Sequence, residues 1–351
     1  MGMNATTPPA AGSERVPNER TGARALVEHL DVVLATAGRA PSVHNTQPWL
    51  FRTIDTGLEL RADQRRRLDS VDPDGREMLI SCGAALFGLR LAIRGLGYRP
   101  VVDLLPDRQQ PDLLARIGVG APDPARPDDL QLLAALRRRH THRGAFTAEP
   151  LPPGLAAALQ RDAAAEAATL VTIDGAGPLG QLAALVAAAD RGPRDPGDAA
   201  AVAAWTRPRG SEARDGVPAV AFPGHPEPAA GRSGERLPQR DFDLGRGWGT
   251  LYDDASTGDP VLTTAVLITA GDTPADWLHA GQALHRLTLR AAGRWVFASL
   301  YTRPLESPPI RAAIRAHLDL PGAPQMLLQL GRAGIAPLTA RRPVDDVLAD
   351  S

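Results

Sequence analysis

The chain contains no lysine: all 39 of its basic residues are arginine. That excludes Schiff-base catalysis by a protein lysine and any phosphate loop that depends on one. An anion bound here must be held by arginine, histidine, hydroxyls or backbone N–H groups, and arginine's planar donor fork suits phosphate. Codon bias towards GC explains the missing lysine, but the chemical exclusion stands regardless. Cysteine is nearly absent as well. Cys82 stands alone, so an intrachain disulfide and a cysteine-built zinc site are excluded. The net charge is only −1, which gives no global field to draw in nucleic acid or an anionic membrane. No uninterrupted apolar run is long enough to span a bilayer. The N-terminal MGMNATTPPAAGSERVPNERTG has no apolar stretch of the signal-peptide kind. A cytoplasmic protein without nucleic-acid or membrane partners is expected, with residues 1–24 a disordered leader.

Other absences narrow the chemistry. There is no G-x-S-x-G elbow for a serine hydrolase. No G-x-G-x-x-G follows a strand, so a Rossmann site is unsupported. His44, His140 and His142 lack the carboxylate companions of a metal set. What is present is 351 residues, 43% of them hydrophobic, enough for one large domain or two intimate ones.

Leu26, Leu30, Val33, Leu34 and Ala37 recur at helical spacing, with Gly38 and Pro41 closing the helix. WLFRTI (49–54), DTG and LELRA (58–62) predict a hairpin. Helices are predicted over 76–94, 128–136, 153–167, 178–189 and 275–293, with extended segments at 98–106, 169–174, 260–271 and 325–331. Residues 206–258 are dense in Gly, Pro, Arg and Asp. So long an insert is either a lid or surface disorder. GAALFGLRLAIRG (83–95) aligns with GQALHRLTLRAAG (281–293), Gly83 on Gly281 and Gly95 on Gly293. This weak repeat suggests a duplicated unit, each copy with a central long helix.

Three stretches carry polar chemistry. In APSVHNTQPW (40–49), Pro41 and Pro48 restrict the backbone while Ser42, His44, Asn45 and Gln47 offer hydrogen-bonding groups. A flat heterocycle with polar edges would match such a wall. RRRHTHRGAF (137–146) is either a solvated basic helix end or a phosphate grip built from Arg139, Thr141 and Arg143. TARRPVDDVL (339–348) is either a tail paired with its own aspartates or a second basic cluster, Arg341 and Arg342.

Taken together, these blocks resemble the FMN-dependent nitroreductase superfamily. APSVHNTQPWLF is similar to its PSSxNxQPWxF loop, and RHTHRGAF to its R-[RH]-S-x-[RK]-x-F segment. DWLHAGQALHRLTLRAAG is similar to its central helix, and TARRP to its C-terminal basic pair. The closest resemblance is to the actinobacterial Acg-type branch, whose single chains carry two nitroreductase-like halves that mimic the usual homodimer. The resemblance implies an α+β fold with two pseudo-symmetric halves, 25–125 and 126–351, with 206–258 a lid insert. It implies one FMN, touched by Pro41, Ser42, Val43, His44, Asn45 and Gln47. Arg139 and Thr141 would lie on its phosphate with Arg341 or Arg342, and Arg143 at the pyrimidine edge. Thr302, in LYTRP, or a backbone N–H there, is the candidate near the flavin N5. The expected activity is reduction of a nitro, quinone or enone-like small molecule by NADH or NADPH, in a monomer. An FMN-sequestering or regulatory protein with little turnover is the alternative, and a flavin-free scaffold a third option. Val43 replaces the usual second serine of the loop, and arginines stand where the family has lysines.

Overall fold

The computed structural model describes residues 17–191, 196–224, 237–250, 260–333 and 339–349. Helices α1 (Pro17–Glu28) and α2 (Leu30–Ala37) precede β1 (Trp49–Ile54), β2 (Gly57–Ala62) and the long α3 (Arg76–Gly95). Then come β3 (Tyr98–Leu104), β4 (Leu113–Pro122), α4 (Pro127–Ala135), α5 (Leu155–Ala164), β5 (Thr169–Thr172), α6 (Ala176–Arg191) and α7 (Pro196–Ala204). Two-residue strands β6 (Thr206–Arg207) and β7 (Val217–Pro218) follow, then β8 (Thr263–Thr269), α8 (Pro274–Gly293) and β9 (Val296–Tyr301). Short α9 (Arg303–Glu306), α10 (Pro308–His317), β10 (Ala323–Arg332) and α11 (Val344–Val347) complete the chain.

The fold is α+β. Strands β1-β2-β4-β3 form one four-stranded antiparallel sheet, and β5-β8-β10-β9 form another. Their order is the same: first, second, fourth, third along the chain. In each, a 20-residue helix enters between the second and third strands. The N-terminus of α8 is fixed by a capping box, Thr273 with Asp276, followed by Pro274 at the first turn.

Helices α3 and α8 cross at the centre with almost no room between them. A Cβ on Gly83 would lie 2.2 Å from the Leu278 carbonyl oxygen, and one on Gly281 would lie 1.9 Å from that of Ile80. Glycine is therefore required at both positions for close backbone approach. Helix α3 is long and apolar enough to cross a membrane, yet most of it is buried inside the fold. That burial accounts for its composition.

The first core combines β1, β2 and β4 with α2 and α3. The second sheet is covered on one side by α5 and α8 and on the other by α6 and α10. The C-terminal segment returns to the first core: Val347 is buried there, and Ala349 N–H donates to the Phe51 carbonyl at 2.7 Å. A division at residue 126 therefore assigns by chain order what packing assigns to the other sheet.

Helix α1 starts inside the stretch read as a leader, whose residues 1–16 lie outside the described residues. The described parts of the 206–258 insert share a small core with α7, in which Phe222 and Phe242 cluster with Val202 and Val217. The Asp243 carboxylate accepts the N–H groups of Gly247, Trp248 and Gly249 and so closes a turn. Residues 225–236 and 251–259 of the insert lie outside the description.

Candidate functional site

The loop after α2 is held in an unusual shape. His44, Asn45 and Gln47 have φ of 45°, 57° and 51°, a left-handed conformation that costs a non-glycine residue about 1 kcal/mol or more. Internal bonds hold it there. Ser42 Oγ accepts the Gln47 N–H at 3.0 Å, and Ser81 Oγ on α3 accepts that of Val43 at 3.1 Å.

Its outward side is tied to two distant segments. The Asn45 amide donates to Gly216 O and Ala340 O and accepts from Arg341 Nη1 at 2.9 Å. Gln47 donates to Arg214 O at 2.9 Å and accepts the Arg342 N–H at 2.8 Å. Asn45 and Gln47 thus knit loop, insert and C-terminal segment together, outside the cleft lining. The inner side, residues 41–44, faces that cleft.

The cleft comprises about 900 Å³ of space between side chains, its open mouth included. One wall is residues 41–44 with Glu77, Ile80 and Ser81 of α3. Facing it are residues 141–143 and the end of β9 through Pro304, which includes Thr302. Pro238, Gln239, Arg240 and Phe242 of the insert also line it. Segment 141–142 lies along β9 like an added strand: His142 N–H donates to Ala298 O at 2.9 Å, and Ser299 Oγ donates to His142 O at 2.8 Å. Thr141 and Arg143 are thereby set on the cleft wall. The Arg143 guanidinium lies 5.2 Å from the Phe242 ring centroid.

Arg139 and Arg341 sit behind this wall. Arg139 is 5% exposed and donates to Arg39 O at 3.0 Å. Arg341 donates to Asn45 Oδ1 and Ala40 O. Their Nε atoms are buried without a partner, and neither forms an ion pair with a carboxylate among the described residues. Burial, with the charges of Arg39 and Arg143, lowers Arg139 to about 10. Burial, Arg139, Arg39 and Arg143 press Arg341 well below its usual value. Buried cations lacking a counter-charge are costly. Arg342 is different. It donates to Gln47 O and Trp49 O and lies 3.8 Å from Asp63, so it anchors the C-terminal segment.

His44 is wedged edge-on against Phe242, with ring centroids 5.5 Å apart. Arg240 Nη1 lies 2.8 Å from its Nε2. A guanidinium can only donate, so Nε2 accepts and Nδ1 carries the proton. That Nδ1 is buried without a partner among the described residues. Burial, Arg240 and Arg143 hold the ring neutral. Arg240 also pairs with Glu306, which accepts the Thr302 hydroxyl at 2.9 Å. The Thr302 side chain is therefore already committed.

Glu77, Arg240 and Glu306 did not stand out in the sequence. The one available signal was a carboxylate, Glu77, on a helix apolar nearly all round.

Two further buried histidines give a pH prediction. Burial takes His140 down to about 4 and His285 down to about 3, from a usual 6.5. The unfolded chain takes up protons below 6.5 that the folded rings refuse, so stability is full near neutrality and falls as pH drops towards 4. Each histidine should steepen that loss by about 1.4 kcal/mol per pH unit. Urea unfolding between these limits would measure it, and His285→Gln should flatten the slope.

The α+β fold with its cleft is consistent with a nitroreductase-like protein. No family model matches the chain. Among relatives, the Mycobacterium tuberculosis protein provisionally named NAD(P)H nitroreductase Rv3131 is 35% identical over 348 residues, 97% of this chain and 94% of the relative. An uncharacterized protein of that organism, Rv3127, is 29% identical over 328 residues, 89% of this chain and 90% of the relative. The provisionally named NAD(P)H nitroreductase Acg is 27% identical over 317 residues, 89% of this chain and 92% of the relative. The chain belongs to the nitroreductase family, in an Acg-like branch.

Proposed function

We propose that the protein is an FMN-binding, NAD(P)H-dependent oxidoreductase that reduces nitro, quinone or enone-like small molecules. The observation that carries this is the pair of buried arginines, Arg139 and Arg341, without a carboxylate partner. They adjoin the loop that lines the cleft, and a phosphate is the anion their donor geometry suits. The residues present fit FMN: Arg139, Arg341 and Thr141 would hold its phosphate, and Pro41, Ser42 and Val43 would wall its ring. Arg143 would stabilise negative charge at the pyrimidine edge. FMN, when bound, supplies the hydride chemistry, while the protein orients and excludes water.

The cleft takes its walls from both sheets' halves of the chain. The shared strand order and the reciprocal Gly83–Leu278 and Gly281–Ile80 contacts support two pseudo-symmetric halves replacing a dimer. A monomer follows from that reading. A storage or regulatory role is favoured by one observation: Phe242 of the insert lines the cleft and packs against both His44 and Arg143.

Absorbance of the purified protein, followed by NADPH or NADH without air, tests these readings. The expected result is a yellow 37.0 kDa monomer that either dinucleotide bleaches. A colourless protein that FMN does not reconstitute overturns the proposal. A yellow protein that neither dinucleotide bleaches favours storage.

A further inference from the structure

We propose that Glu77 is the proton donor of the cleft, delivering a proton to an enone whose carbonyl oxygen is held by the Nδ1–H of His44. The inference rests on the oxidoreductase reading above and adds the acceptor class and the source of the proton.

Two cleft-lining side chains carry buried polar atoms without a partner among the described residues: Glu77 Oε2 and His44 Nδ1. Glu77 is 2% exposed and lies three and four residues before Ile80 and Ser81 of the cleft wall, spacings that place all three on the same face of α3. Its other oxygen is taken, because Arg76 Nη2 donates to Oε1 at 3.1 Å. Arg76 is itself fixed by donating to Gln325 O at 2.9 Å. Oε2 is therefore the oxygen that carries a proton when the carboxyl is neutral. The groups facing it are Arg76, Asp72, Glu306 and Arg240. Burial and the charge of Glu306 push the carboxyl well above the usual carboxylate range, which keeps it an acid.

An acid and a single N–H donor on one wall match an acceptor with one oxygen that gains one hydride and one proton. The β-carbon of an enone receives a hydride, whose electron pair comes ultimately from NAD(P)H. The C=C π pair shifts towards the carbonyl, where the His44 N–H stabilises the developing negative charge. The Glu77 O–H bond then breaks, its proton bonds to the α-carbon, and the saturated ketone leaves. Solvent returns the proton to the Glu77 carboxylate.

The test separates proton-requiring from proton-free oxidation. FMN-loaded protein is reduced anaerobically with NADPH, then mixed with cyclohexenone or with ferricyanide, which takes electrons alone. In Glu77→Gln, reoxidation by cyclohexenone should fall about 100-fold while ferricyanide stays within about twofold of the wild type. Glu77→Asp should recover part of the loss. Equal slowing with both oxidants, or none with cyclohexenone, overturns the proposal. An infrared band of a buried protonated carboxyl at neutral pH, lost in Glu77→Gln, is expected in the FMN-free protein too, and its absence from the wild type overturns it. A wild type reoxidised by ferricyanide but not by cyclohexenone overturns the acceptor class. One whose flavin NADPH and NADH never reduce overturns the oxidoreductase reading instead.

Discussion

Gly281→Ala is expected to lower stability by about 3 kcal/mol, the upper part of the range for overpacked cores. In a chain of this size the unfolding midpoint should fall by several degrees. The new Cβ would lie 1.9 Å from Ile80 O, 2.7 Å from Ala84 N and 2.9 Å from the Gly83 Cα. All three are backbone atoms of α3, so no rotamer change relieves the clash and the helices must part. Parting them also disturbs the cleft, because Glu77, Ile80 and Ser81 come from α3 and Leu284 from α8. Weaker FMN binding should accompany the lost stability. Gly180→Ala is the control. It is exposed on α6 with nothing within 4 Å of the added Cβ, so a gain of up to about 1 kcal/mol is expected from helix propensity. Thermal unfolding of the two variants side by side reads both effects. Equal midpoints would show that the α3–α8 crossing is not as tight as described.

The same crossing shows how much of the fold was legible. Strong periodicity made α3 and α8 readable from the sequence, and the alignment of Gly83 with Gly281 identified the two glycines that make the crossing possible. The hairpin of β1 and β2 and the buried strand β8 were readable from their apolar patterns and turn residues. Strand β4 was not, because Arg116, Gly118 and Gly120 interrupt its pattern, and its partners on either side supply what its own residues lack. Strand β9 was hidden by following α8 after only two residues. Helix α10 was not anticipated; it opens on Pro308 and Pro309, where proline at the first turn is well placed.

In the site, Ser42, Val43, His44, Thr141 and Arg143 come together on the cleft, as blocks widely separated in sequence. Asn45 and Gln47 have the residue types of a ligand wall, but their amides are used on the protein's own backbone and on the Arg341 side chain. That choice depends on residues 167 and more positions away, which no local pattern encodes. Arg240 and Glu306 stayed invisible for the same reason, since their meaning depends on His44 and Thr302 lying beside them.

Arg139→Met is expected to have opposite effects on the FMN-free and FMN-bound protein. Without a ligand, the Arg139 guanidinium is buried beside like charges, with an unpartnered Nε and no carboxylate. Methionine is of similar length, removes the buried charge and leaves the Arg39 carbonyl as the one group deprived of a described donor. The FMN-free variant should therefore unfold at a higher temperature, with a gain of about 1–3 kcal/mol. FMN affinity should fall by at least about 100-fold, since removing one partner of a buried charge contact costs about 3 kcal/mol or more. The wild type should gain thermal stability as FMN is added, by mass action, while the variant gains little over the same concentrations. Thermal unfolding across an FMN titration measures both signs in one experiment. A residue kept for stability would show the reverse, a lower midpoint without FMN and an unchanged response to it. Rising stability with lost binding would be the signature of charge kept in place for a ligand, as the proposed phosphate role of Arg139 and Arg341 requires.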